Sequence, residues 1–198
     1  MACGSSYRHL QKWPADKRTA VDPARLLALK PVYPAVLYRT QVNITGHYLS
    51  GLLLIKEMPD SSRRVVFSNE AGFKFFDFSF GGPRGFEVIH IMDRLNKKPV
   101  IRTLEQDLSL VMMQGIETAP ARLAIADSLL YHGFRRGSKT TWYVTDSAVT
   151  YVDHAELGAP RKKLVEARWW MGENNVPDSI AIRHFNFNFT MNLKKLER

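Results

Sequence analysis

The side chains of this 198-residue chain that could carry covalent or metal chemistry are six histidines, one cysteine and nineteen carboxylates. Their spacing closes most of the available reactions. His9, His47, His90, His132, His154 and His184 share no helix and show no metal-ligand spacing. His154 follows Asp153 and lies near Asp146, which is a weak basis for an acid–base pair. Gly81, Gly82 and Gly85 read as a turn, and neither a nucleophile elbow nor a phosphate-cradling glycine loop occurs. One cysteine, Cys3, can form no disulfide within the chain and no cysteine zinc cluster. The expectation is a non-enzymatic protein with no metal and no cofactor.

The chemistry that remains is apolar binding. In HFNFNFTMNL, residues 184–193, side chains alternate with a period of two along an extended strand. Phe185, Phe187, Phe189, Met191 and Leu193 then share one side, and His184, Asn186, Asn188, Thr190 and Asn192 the other. Such a face needs either a packed core or a cavity holding an apolar ligand. Leu52, Leu54, Phe76, Phe78, Phe187, Phe189 and Met191 are the expected lining of a cavity for acyl chains, since such pockets are built from apolar and aromatic side chains and adaptable Met. The alternative, left open by alternation alone, is that the same residues form an ordinary core under a helix. Trp169 and Trp170, adjacent on a strand, fall on opposite faces, one directed inward and one toward the rim.

The elements that must position these residues are mostly strands. Residues 1–20 read as a polar, basic arm, and 21–198 as one domain. Asp22 and Pro23 open a short helix that Pro31 stops. Strands over 33–44, 47–58, RRVVFSNE, FKFFDFSF and GFEVIHIM follow, with turn signals every ten or so residues, as in an antiparallel meander. Residues 97–114 then switch to the helical period. Val100, Ile101, Leu104, Leu108, Val111 and Met112 lie on one stripe, with Asn96 as the expected cap and Gly115 as the stop. RLAIADSLLYHGF is ambiguous between helix and strand. TTWYVTDSAVTYVDH breaks at Asp146-Ser147 into two strands, KLVEARWWM adds another, and one long strand of about fifteen residues ends the chain. Ten or eleven strands, each rotated by roughly 20–25° on the last, will curl. The expected fold is mainly β, an antiparallel half-barrel closed by the amphipathic helix.

The charge of +9 favours anionic partners, but the basic residues are scattered pairs such as Arg63–Arg64 and Lys97–Lys98, which suit solvated strand ends. Aromatics do not interleave with them on an exposed face, so nucleic acid is not an expected partner. No stretch approaches the roughly 20 consecutive apolar residues that a membrane-spanning helix requires.

Two resemblances extend this reading. Ala2-Cys3 with Gly4, Ser5 and Ser6 resembles the end of a bacterial lipoprotein signal, in which the cysteine becomes the lipidated first residue. The order of elements over 33–196, with VVFSNEAGFKFFDFSF, TWYVTD and PDSIAIRHFNFNFTMNLKKLER, is similar to the bacterial lipoprotein-localisation carriers and their outer-membrane acceptor. The resemblance implies an incomplete barrel with a helical lid and acyl chains of lipids or lipoproteins as ligand. It also implies a cell-envelope location on the periplasmic side, anchored to the outer membrane through Cys3. An anionic membrane surface and a protein partner are the implied contacts, and docking such a partner with a fully packed core is the alternative function.

Overall fold

A computed structural model describes residues 7–14, 22–117, 120–160 and 162–197; Cys3 lies outside them. In chain order the elements are β1 (Gln11–Lys12), α1 (Pro23–Ala28), β2 (Ala35–Ile44), β3 (His47–Glu57), β4 (Arg63–Ser68), β5 (Lys74–Phe80), β6 (Glu87–Ile91) and α2 (Lys98–Val111). The second half comprises β7 (Arg122–Ala126), β8 (Leu129–Arg136), β9 (Lys139–Asp146), β10 (Val152–Ala159), β11 (Lys162–Met171), β12 (Pro177–His184) and β13 (Phe189–Lys195). All thirteen strands join one antiparallel sheet in the order β1-β7-β8-β9-β10-β11-β12-β13-β2-β3-β4-β5-β6. The C-terminal strand therefore inserts between the two halves, Met191 opposite Val42. The sheet is open, with β1 and β6 as its edges.

The sheet curls around α2. β9 and β4 are seven strand spacings apart, roughly 33 Å if flat. Yet the Tyr143 hydroxyl of β9 donates to the Leu110 carbonyl and Arg63 of β4 donates to that of Met112. Both reach the end of the same helix, and only a bent wall allows it. Tyr33 and Trp169 converge there too, each donating to the Val111 carbonyl at 3.1 Å. The helix C-terminus, whose last carbonyls lack partners within the helix, is thus tied down by wall side chains. Leu108, Val111 and Met112 beneath these bonds are fully buried.

The sequence reading needs four corrections here. Among the described residues the strand count is thirteen, in part because the ambiguous segment 122–136 is a hairpin, turning at Asp127 and Ser128, both with positive φ. The long final strand is two strands. Residues 185–188 bend the chain back, and Ile182 pairs with Met191. Alternation runs unbroken through that bend, so it concealed a turn that Asn186 and Asn188 suit. The N-terminal arm is partly held, as β1 extends the sheet edge on β7. Finally, Lys97 is the N-cap of α2 and makes no side-chain cap bond, since an ammonium has no acceptor to offer; Asn96 lies one residue earlier, in a turn where its backbone amide donates to the Met92 carbonyl. The cap of α1 is as read: the Asp22 carboxylate accepts from the Ala24 amide at 2.9 Å.

Gly51 in β3 is required by close approach. A Cβ there would collide with the backbone carbonyl of Ser68 on β4. Gly51→Ala is expected to lower the unfolding free energy by about 2–3 kcal/mol, at the upper end for overpacking, because a ladder carbonyl and not a flexible side chain must move. Urea unfolding of the variant at an unchanged midpoint would refute this.

Candidate binding cavity

The space between the concave face and α2 is divided. Beneath the C-terminal half of the helix aromatic side chains fill the β4–β5 side, while a wide, partly polar cleft of about 530 Å³ opens where Phe80, Phe86 and Phe134 approach Glu105 and Ser109. Phe78 stacks on Phe76 with ring centroids 4.6 Å apart and meets Phe86 edge-on at 5.4 Å. Beneath the N-terminal half a cavity of about 260 Å³ remains. Val42 and Ile44 of β2 and Leu49 of β3 form one side, and Phe67 of β4 with Phe76 of β5 the next. Phe187, Phe189 and Met191 come from the opposite flank, and Pro99, Val100, Thr103 and Leu104 of α2 form the roof. Thr103 is the one polar side chain in this shell, so the cavity has almost no hydrogen-bonding capacity.

Exposure locates its mouth. Phe67, Phe76 and Met191 are almost wholly buried and form the floor. Ile44, Leu49, Leu95 and Phe187 are half-buried and Pro99 is exposed. The opening therefore lies where the β2–β3 tip, the β12–β13 turn and the start of α2 meet. An aromatic run connects solvent to the wall: Phe73 is exposed, lies 6.3 Å from Phe75, and Phe75 lies 4.9 Å from Phe67.

Of the residues expected to line such a space, Phe76, Phe187, Phe189 and Met191 are brought together on it, joined by Leu104 of the helix. Phe78 is inward but sits in the packed half. Leu52 and Leu54 are corrected: they lie on the other face of β3, and Gly51, Leu53 and Ile55 are the buried set. A run of three leucines has no alternation, so nothing in 52–54 reveals which face is inside. Leu108, Val111 and Met112 are core, and Ile101 is half-buried beside the cavity without lining it. Trp169 is buried and Trp170 exposed, as adjacency on a strand requires.

One polar feature behind this wall was not foreseen. His184 faces inward, its ring 4.6 Å from Phe187 and 4.7 Å from Phe189. Its Nε2 lies 2.8 Å from the Asp107 carboxylate on α2. Burial pushes the Asp107 pKa up, against the opposing pull of His184 and Lys139. The signal was available, since Asp107 lies between Leu104 and Leu108 on the apolar stripe, where an acid needs a buried partner.

On the convex face, His154 bridges Asp153 at 2.6 Å and Glu156 at 2.9 Å. His154, Glu156 and Glu166 could surround a cation. However, the Lys163 ammonium lies 2.7 Å from Glu156 and 2.6 Å from Glu166 and already fills that position. Asp146 is not part of this group; it caps its own turn through Ala148, Thr150 and Tyr151. The second face also holds a small core in which Tyr7 of the N-terminal segment packs on Trp142, over a notch left by Gly158.

No family model matches the chain, and no curated protein matches it in sequence. Among solved structures it is similar to a DUF1329 family protein from Desulfovibrio piger, with 7% identity, 88% of each chain covered and a TM-score of 0.46. It is also similar to a domain from Vibrio parahaemolyticus described as outer membrane lipoprotein-sorting, with 8% identity, 88% of each chain covered and a TM-score of 0.42.

Proposed function

We propose that this chain is a non-enzymatic carrier that holds an acyl chain of a lipid or lipoprotein in the cavity under α2. The observation that carries the proposal is a partly open space between sheet and helix lined almost wholly by apolar side chains. An empty apolar cavity is destabilising, by about 24 cal/mol per Å³ in core-truncation series. A hydrocarbon ligand removes that penalty and gains roughly 25 cal/mol for each Å² of apolar surface taken from water. No covalent step is needed. The carrier would act at the periplasmic side of the cell envelope, anchored through Cys3, at an anionic membrane surface.

The direct test fills the space. Val100→Trp on the roof is expected to weaken binding of a fluorescent fatty-acid analogue at least about tenfold, with the thermal midpoint within a few degrees of the parent. Unchanged affinity, or a parent protein that binds no such analogue, would refute the reading.

A second reading is favoured by the aromatic-filled side of the interior and by β6, an edge strand whose outer side is unpaired and whose Ile89 is exposed. In it, the fold docks a protein partner through that edge. Native mass spectrometry separates the two: a co-purifying lipid supports the carrier, whereas a lipid-free chain that retains a partner supports docking.

A further inference from the structure

We infer that the ligand is a single-chain amphiphile with an anionic head, bound with its tail in the cavity and its head among Arg94, Lys97, Lys98 and Arg102. The inference rests on the acyl-chain reading above and narrows it in two respects, chain number and head charge.

Size sets the first. At about 260 Å³ the space is larger than the 150 Å³ or so that accepts benzene, yet below the roughly 300–1,000 Å³ typical of drug-sized sites. One hydrocarbon tail fits. The two tails of a phospholipid would not both be enclosed by it.

Charge at the mouth sets the second. Leu95, Pro99, Val100 and Thr103 line the cavity, and the cations interleave with them: Arg94 precedes Leu95, Lys97 and Lys98 precede Pro99, and Arg102 lies between Val100 and Thr103. All four are exposed, and among the described residues none forms an ion pair. The acids near the opening are Asp93 beside Arg94 and Glu70 on the β4–β5 turn, while Glu105 lies a turn further along α2. The other rim segments, 45–48 and 185–188, contribute His47 and no carboxylate. Among the described residues no carboxylate pairs with these four cations, and an amphiphile whose tail is buried must leave its head there. The charge is complementary to a carboxylate or a phosphate and repels a cationic head. The head needs no desolvation at such an exposed rim, so the attraction is modest and screened by salt.

The test uses the full chain and three probes with the same twelve-carbon tail: dodecanoate, dodecyl phosphate and uncharged monododecanoylglycerol. At low salt the anionic probes are expected to bind about tenfold tighter than the uncharged one, and the gap is expected to narrow as salt rises. Lys97→Gln and Lys98→Gln are each expected to weaken anionic-probe binding about two- to threefold and to leave the uncharged probe unaffected, which a merely structural role would not do. A preference between dodecanoate and dodecyl phosphate identifies the head as carboxylate or phosphate, and either supports the inference. Equal affinity for all three probes, or variants that lose all three alike, overturns it while the acyl-chain reading stands. Failure of every probe to bind overturns both.

Discussion

Phe78→Ala is expected to cost about 3–5 kcal/mol of folding stability, the range for removing a large aromatic from a core that cannot collapse around the gap. Phe78 is fully buried, sits opposite Val65 on β4 and Val88 on β6, and contacts the rings of Phe76, Phe80 and Phe86. Val65, Phe76 and Phe80 belong to β4 and β5, each held by two ladders, so they cannot close over the void. Against the 5–15 kcal/mol typical of a folded domain this is a large fraction. The loss should appear as a lower urea midpoint. The variant that remains folded should still bind a fatty-acid probe, because Phe78 lies outside the cavity shell. A loss under about 1 kcal/mol would mean that this half of the interior is looser than the contacts indicate.

The second large effect is an acid transition centred on His132. This residue is buried on the concave side of β8, with Nε2 3.1 Å from the Thr145 hydroxyl. Burial lowers its pKa from the ordinary 6.5 to about 4. A folded-state value below the unfolded one means that the folded chain resists protonation. Its stabilising effect is whole above pH 6.5 and is lost as pH falls through about 4. The difference corresponds to about 3 kcal/mol. Unfolding free energy measured from pH 7 to pH 4 should therefore fall by about that much more in the parent than in His132→Gln, which keeps a hydrogen-bonding group toward Thr145 but does not titrate. Parallel curves would refute the assignment.

Where the sequence reading succeeded, local rules governed. Asp22-Pro23 capped a helix because capping depends on adjacent residues. In the strand read over 33–44, Tyr38, Thr40 and Val42 are buried and the Arg39, Gln41 and Asn43 between them are exposed, as alternation requires. Phe76, Phe78 and Phe80 are all buried for the same reason. The stripe of Leu104, Leu108 and Val111 placed the helix against the sheet. The reading failed where pattern is degenerate. Leu52-Leu53-Leu54 offers no alternation, and in Phe185-Asn186-Phe187-Asn188 the strand period continues through a turn. The cavity was half legible. The periods along the chain place Phe76, Phe187, Phe189, Met191, Val100 and Leu104 on apolar faces, but Leu49 and Phe67 join them only because distant strands are brought under one helix.

By itself, then, the amino-acid order determined an antiparallel sheet with one broad apolar face, a long amphipathic helix to cover that face, and the absence of any recognisable reactive motif. These follow from side-chain periodicity and turn chemistry, which act over a few residues. Tertiary structure alone decided that the C-terminal strand closes between the two halves of the sheet, that His184 turns inward to meet Asp107, and that an apolar cavity is left under the start of α2. Volume left between packed surfaces depends on how tightly the wall bends and on where the helix is tied. Both depend on contacts between residues far apart in the chain.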